Sequence, residues 1–281
     1  MGLNIKLWGA RGSIPAPGPG TVKVGGNTTC VEITSGNSNR IIIDAGTGIR
    51  LLGMKLIKNQ PQPIYLLLTH SHWDHLSGFT FFGPAFNPEQ EFHVYGNQMA
   101  QEVLQRDIFE RHDNRYSPVN RDDLRASFDF NAGIPIPFTV GNISIRSMNL
   151  NHPGNGFAFR FDCEGRSFAF ITDNEIGKDY EGGNTREIRA SFCRDVDVLV
   201  HDAQYLPSDM PSHRGWGHST YEEVVDLAAE TGVSHVLLTH HDPERTDEQC
   251  EKLLADARAY ARRQKIKMHI DLAIEGMELN L

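Results

Sequence analysis

Short apolar runs alternate along the chain with turn-forming loops. Runs at 5–8, 30–34, 41–43 and 64–68 are rich in Ile, Val and Leu and read as strands. A stretch rich in Gly and Pro at 11–27 separates the first two. Residues 46–58 carry Ile49, Leu52, Leu56 and Ile57 at helical spacing, which predicts a helix with one buried face. A strand at 92–95 and a helix at 97–111 follow, then a polar stretch at 111–133 without a usable period. The second half repeats the style, with strands predicted at 143–150, 157–163, 167–171 and 196–200. Ser219, three residues before Glu222, reads as a capping box. The helix it opens has Val224, Val225 and Ala228 on its apolar face and Gly232 as its stop. A strand at 236–238, a helix at 247–262 and a strand at 266–270 complete the pattern. No linker or low-complexity segment interrupts it, so residues 1–281 read as a single domain.

The ends of the apolar runs carry the chemistry. Leu66-Leu67-Leu68-Thr69-His70 is echoed by Val236-Leu237-Leu238-Thr239-His240. Asp44 follows Ile41-Ile42-Ile43, Asp173 follows Phe170-Ile171-Thr172, and Asp202 follows the run at 198–201. Strand after strand thus delivers a His or Asp at its carboxyl end, the edge where ligands gather in sheets covered by helices.

Composition narrows the functional classes. Hydrophobic residues make up 39% and charged residues 22% of 281, as in an ordinary globular chain. No apolar run approaches the roughly 20 residues of a membrane span. The first residues lack a signal-peptide pattern, and Lys6 stands where a myristoylation signal needs Ser or Thr. A net charge of −9 argues against a broad footprint on nucleic acid, which needs many Lys and Arg contacts to phosphate. It leaves room for a small anionic substrate, because a bound metal reverses the local field. Cys30, Cys163, Cys193 and Cys250 form no close pair, which predicts reduced thiols and a cytoplasmic protein.

His70-Ser71-His72-Trp73-Asp74-His75 is the strongest single signal. His70 and His72 share a side of an extended chain, and Asp74 and His75 fall at the turn that follows. Four ligand-type side chains in six residues suit two adjacent cations better than one. Their imidazoles and carboxylates favour zinc or a similar first-row metal. His93, His112, His235 and His269 stand alone and read as structural.

This motif, preceded by Leu66-Leu67-Leu68-Thr69, resembles the signature of the metallo-β-lactamase superfamily. Asp44-Ala45-Gly46-Thr47-Gly48 resembles the family's early Asp-x-Gly loop. His152 in Asn151-His152-Pro153-Gly154, Asp173 and His240 resemble its later ligands. The resemblance implies an α/β fold, a four-layer αββα sandwich with metals at one rim. It assigns His70, His72 and His152 to one ion, Asp74, His75 and His240 to another, and Asp173 to the space between. Two divalent ions are implied, zinc first, with manganese or iron served by the same ligands. Asp202 competes with Asp173 for the bridging place. It follows His201 in a segment like the phosphodiesterase branch's His-Asp/Glu-Ala motif, where the carboxylate orients a histidine, so Asp173 is preferred. Asp44 likewise reads as a support rather than a ligand.

Branch features choose the chemistry, because the fold alone does not. Gly217-His218-Ser219-Thr220 and the opening Gly9-Ala10-Arg11-Gly12-Ser13-Ile14-Pro15 resemble the phosphodiesterase branch, which includes tRNA 3′-processing endonucleases and cyclic phosphodiesterases. The implied function is hydrolysis of a small phosphodiester, a cyclic nucleotide above all, by a hydroxide bridging two metals. His218, Asp74 and Asp202 are the candidate catalytic residues, with His218 protonating the leaving alkoxide. A tRNA 3′-processing endoribonuclease and a thioester hydrolase of the glyoxalase II type are the alternative enzymes. A catalytically idle interaction domain is the third class. The loop at 211–217, with His213, Arg214 and Trp216, is a candidate cover for a base and phosphate. Phe79, Phe81, Phe82 and Phe86 read as core in preference to a base-stacking platform. The basic run at 262–267 reads as a solvated helix end. Homodimers are common in the resembled branch, although the sequence marks no interface.

Overall fold

A computed structural model describes residues 2–36, 39–109, 119, 121–130 and 138–281. Its strands are β1 (Asn4–Gly9), β2 (Cys30–Ser35), β3 (Asn39–Ile43), β4 (Ile64–Leu68), β5 (Glu91–Gly96), β6 (Ser127–Phe130) and β7 (Phe138–Val140), then β8 (Ile143–Asn149), β9 (Phe157–Cys163), β10 (Arg166–Ile171), β11 (Val198–Asp202), β12 (His235–Thr239), β13 (His269–Leu272) and β14 (Glu278–Asn280). The α-helices are α1 (Ile49–Leu56), α2 (Gln98–Val103), α3 (Arg186–Cys193), α4 (Met210–His213), α5 (Tyr221–Thr231) and α6 (Asp247–Arg263).

Among the described residues the strands form two seven-stranded sheets, ordered β14-β1-β2-β3-β4-β5-β6 and β13-β12-β11-β10-β9-β8-β7. Each sheet is antiparallel on one side and parallel on the other. The pairing changes at β3 in the first sheet and at β10 in the second. The two-residue alternation of strand side chains explains the layers: Ile41 and Ile43 face the other sheet while Ile42 faces outward, and Phe168 and Phe170 oppose Ala169 and Ile171 in the same way. Because both faces of these central strands are covered, they read as unbroken apolar runs. The inner layer packs Ile5, Leu7, Ile33 and Ile41 against Phe159, Phe161, Phe168 and Phe170. Ile49 and Leu52 of α1, with Phe79 and Phe82, cover the outside of the first sheet. Phe192 of α3, Val224 and Val225 of α5 and Leu253 of α6 cover the second. Each large apolar side chain so buried contributes roughly 1.5–3 kcal/mol. The layers are helix, sheet, sheet, helix, the αββα sandwich expected. No helix among the described residues is long and apolar enough to cross a membrane.

Several local expectations are corrected. The capping box uses Thr220 and Glu223, one residue later than expected. Ser219 is engaged elsewhere: its hydroxyl donates to the Asn174 carbonyl at 2.6 Å and accepts from the Ile176 N–H at 3.0 Å. Ile57 is 61% exposed, because α1 ends at Leu56 and Gly53 takes the inward place against Phe82. Phe81 is 63% exposed, unlike buried Phe79 and Phe82, and Phe86 is partly buried. The helix begun at Asn97, whose side chain accepts from the Ala100 N–H, changes to a wider turn over Leu104–Phe109; residues 110 and 111 lie outside the described residues, as does His112. The strand expected at 266–270 is β13 at His269–Leu272, because the α6 end runs through Gln264 and Lys265 before the chain can extend.

Candidate metal centre

The carboxyl ends of β3, β4, β10, β11 and β12 meet at one rim. Three of the residues that leave them, Asp44, Asp173 and His240, have positive φ of 60°, 52° and 57°. That backbone turns each side chain off its strand line and is tolerated best by Gly, Asn, Asp and His. The six-residue motif follows β4, with Trp73–His75 forming a single tight turn that brings the His75 ring to 4.1 Å from that of His70.

Four of the histidines, His70, His75, His152 and His240, share an orientation. His75 Nδ1 donates to Asp44 Oδ2 at 2.7 Å, and His240 Nδ1 donates to Gln204 Oε1 at 2.8 Å. His152 Nδ1 donates to the Gly217 carbonyl at 3.0 Å. His70 Nδ1 lies 3.0 Å from Thr69 Oγ1, which donates onward to Asp44 Oδ2 at 2.8 Å. Each outward bond fixes the ring proton at Nδ1 and leaves the Nε2 lone pair facing inward.

The inward atoms converge on Asp173. Its carboxylate lies 3.2 Å from His240 Nε2, 3.3 Å from His75 Nε2 and 3.9 Å from the Nε2 atoms of His70 and His152. Asp74 Oδ2 is 3.2 Å from both His75 Nε2 and His240 Nε2, and the Ser13 N–H holds it at 2.9 Å. His72 Nδ1 stands 3.0 Å from His152 Nε2. The ligand-type atoms fall into two compact triads, His70-His72-His152 and Asp74-His75-His240, joined by the sets His70-His75-Asp173 and His152-Asp173-His218. His70 Nε2 and His75 Nε2 are buried without a hydrogen-bond partner. For His75 this holds despite two carboxylate oxygens within 3.3 Å. Nitrogen lone pairs aimed at a shared point between carboxylates suit cations, so the His/Asp clusters fit a dinuclear metal site.

The charges divide accordingly. Burial, together with His75, pushes His70 well below the ordinary histidine range. Burial also lowers His152, to about 4, against the pull of Asp173. Burial opposes charge on His75, yet Asp74, Asp173 and Asp44 outweigh it and hold His75 well above that range. Burial likewise opposes ionisation of Asp74 and Asp173, but the facing histidines keep both well below the usual carboxylate range. Burial opposes charge on His240 too, yet Asp173 and Asp74 raise it, so two carboxylates face two histidines that favour protonation and the protons stand where cations would bind.

Asp202 belongs to none of the triads. It accepts from the Asn174 N–H at 2.7 Å and the Ser219 N–H at 2.9 Å, and its Oδ2 lies 3.8 Å from His218 Nδ1. His218 stacks on His240 at 4.8 Å between ring centroids, and its buried Nδ1 has no hydrogen-bond partner. Asp44 is bound to Thr69 and His75 behind the cluster. Sequence reasoning misses Gln204, Ser13 and Glu175 as supports for this site, since their partners lie 36 to 61 residues away in sequence. A signal was available for one approach: Gly12 sits where a Cβ would lie 2.3 Å from His240 Nδ1, so the glycine in Arg11-Gly12-Ser13 lets that loop reach the rim.

Residues 39–241 match the model of the beta-lactamase superfamily domain. The chain belongs to the metallo-β-lactamase superfamily. Ribonuclease Z of Streptococcus equi subsp. zooepidemicus is 27% identical over 177 residues, covering 59% of this chain and 51% of that protein. The matched stretches cover 23%, 51% and 24% of three curated relatives, so the chain spans about half their length or less. Among solved structures, the metallo-beta-lactamase fold protein YhfI from Bacillus subtilis superposes with a TM-score of 0.71 at 16% identity, covering 100% of both chains. Unliganded yeast PDE1 superposes with a TM-score of 0.69 at 14% identity, covering 100% of this chain and 99% of that one. These two structures show the fold. The chain thus carries the architecture and the His/Asp site of a metal-dependent hydrolase of the metallo-β-lactamase superfamily.

Proposed function

We propose that this chain is a dinuclear metal-dependent phosphodiesterase acting on a small phosphodiester, a cyclic nucleotide specifically. The observation that carries the reading is His218, which reaches the cluster from a loop of its own. Its Nδ1 is buried, unpartnered, 3.9 Å from Asp173 Oδ1 and 3.8 Å from Asp202 Oδ2. His218 belongs to neither of the two triads and meets the centre only through the set His152-Asp173-His218.

His70, His72 and His152 would hold one ion, and Asp74, His75 and His240 the other, with Asp173 between them. Zinc suits this donor set, and manganese or iron(II) would accept it. Bound there, two divalent ions supply charge neutralisation for the diester and acidify water for attack. The chain's own residues do the rest. Asp44, Gln204 and the Gly217 carbonyl keep the Nδ1 protons outward. Asp202 is held anionic: burial opposes this, but His218, His201 and His240 prevail. It lies beside His218 Nδ1 and orients the ring, which passes a proton to the departing alkoxide.

The test is turnover by His218→Ala. Hydrolysis of an aryl phosphodiester should fall by about 10²–10⁴-fold, with metal content unchanged; a full rate removes the assignment. Turnover of 3′,5′- and 2′,3′-cyclic nucleotides by the metal-loaded protein tests the substrate. Preferred hydrolysis of a thioester would support the glyoxalase II alternative, which leaves His218 without a task. Similarity to ribonuclease Z favours one second reading, tRNA 3′ processing. The net charge of −9 weighs against a large RNA ligand. Cleavage of a labelled precursor tRNA at micromolar enzyme separates the two.

A further inference from the structure

Two glycines flank Trp216, and both have positive φ, 96° at Gly215 and 89° at Gly217. Their N–H groups point to one side chain. Glu175, fully buried, accepts from the Gly215 N–H at 3.1 Å (Oε1) and 3.0 Å (Oε2) and from the Gly217 N–H at 3.0 Å. The Tyr180 hydroxyl donates to Oε2 at 2.7 Å, and Arg214 Nη1 lies 3.3 Å from Oε1. The neighbouring N–H groups turn elsewhere: Arg214 to the Met210 carbonyl and Trp216 to the His213 carbonyl. A carboxylate thus replaces the backbone acceptors that a regular turn would offer to residues 215 and 217.

The segment so held meets the His/Asp cluster at two points. Its Gly217 carbonyl accepts the His152 Nδ1 proton at 3.0 Å. The contact is close: a Cβ at Gly217 would lie 2.0 Å from His152 Nδ1. The next residue is His218. One buried carboxylate therefore fixes both the ring orientation of a candidate metal ligand and the place of the candidate acid. Trp216, 59% exposed, stands between them on a turn whose backbone is already restrained, with His213 against its ring at 4.9 Å.

We propose that Glu175 is a positioning residue for the reaction: it clamps the Gly215-Trp216-Gly217 turn so that His218 and His152 hold their working geometry. This rests on the reading of His218 as the proton donor. It also recasts the 211–217 segment, which works as a fixed wall rather than a moving cover.

Glu175→Gln keeps the size of the side chain but sets an amide NH₂ against the glycine N–H groups. Hydrogen exchange of a peptide spanning 213–218 in the metal-loaded protein should quicken at least about tenfold. With an aryl phosphodiester, kcat should fall by about 10–100-fold, while KM stays within about twofold and metal content is retained. Unchanged exchange, or faster exchange with an unchanged kcat, overturns the proposal. If Glu175→Gln does not fold, Tyr180→Phe, which removes one donor from Oε2 at the partly exposed edge, decides. Faster exchange over the same peptide with a smaller loss in kcat supports the clamp, and no change in either rejects it. If the wild-type protein hydrolyses no phosphodiester, the reaction reading fails. The clamp is then scored by exchange alone, faster supporting it and unchanged rejecting it.

Discussion

Asp44 follows β3 in one sheet, and Asp173 follows β10 in the other. Each leaves the strand at which antiparallel pairing gives way to parallel pairing, and each does so through a left-handed residue. Both are buried. Their surroundings differ. Asp44 is enclosed by Thr69 and the Nδ1 side of His75, and burial raises its carboxyl above the ordinary range despite those bonds. Asp173 faces Nε2 atoms from four histidines and is held well below that range. The backbone device is shared, and the partners alone decide whether the carboxylate braces the site from behind or stands at its centre. The left-handed step is a way to lift an acid off a strand end; it does not specify a task.

The largest expected effect comes from removing the central charge. Asp173→Asn keeps shape and tolerance of positive φ, but metal content should fall below two per chain. Activity should drop on the order of 10³-fold, the scale of a lost metal's several kcal/mol. Elemental analysis and diesterase assays read both. Asp44→Asn should cost only about 10–100-fold in activity or metal affinity, as expected for a group that orients a ligand. Equal losses from the two variants would erase the distinction between the sites.

The smallest effect is on the pH dependence of the metal-free protein. Burial lowers His152 to about 4 from an ordinary value near 6.5, against the pull of Asp173, so the unfolded chain binds its proton first. Its contribution to stability is therefore present above about 6.5 and lost as pH falls towards about 4. His75, bound to Asp44, is raised and acts in the opposite sense: its contribution is complete below about 6.5 and fades as pH rises through its folded value. Urea unfolding of EDTA-treated protein between about pH 4 and 7 measures the first. His152→Gln should flatten that acid limb, and an unaltered slope would assign it to other groups.

How far the sequence reached depended on distance along the chain. His70, His72, Asp74 and His75 are written within six residues, so their convergence was legible. Asp173, Asp202 and His240 were legible because each ends or follows a short apolar strand, and such ends share an edge. Supports that act across the fold were not. Gln204 meets His240 from 36 residues away, and Glu175 meets Gly215 from 40. A single polar residue in a loop carries no periodicity to reveal such a partner. The capping box slipped by one residue for a related reason, since Ser219 and Thr220 are equally good caps until tertiary bonds to Asn174 and Ile176 claim the serine. Short β7 and β14, each three residues long, are too brief to show an alternation.

β14 has a consequence for how the protein is made. It joins the outer side of β1, pairing Ile5 with Leu279 and Lys6 with Glu278. The first sheet therefore lacks a strand until residues 278–280 have left the ribosome. Its inner residues, Ile5, Leu7, Ile33 and Ile41, also wait for the phenylalanines of β9 and β10. A nascent first half would present an open sheet edge and a bare apolar face, the hallmarks of slow, non-local folding and of aggregation risk. Synthesis of this chain should depend on protection of that half while the second is being translated.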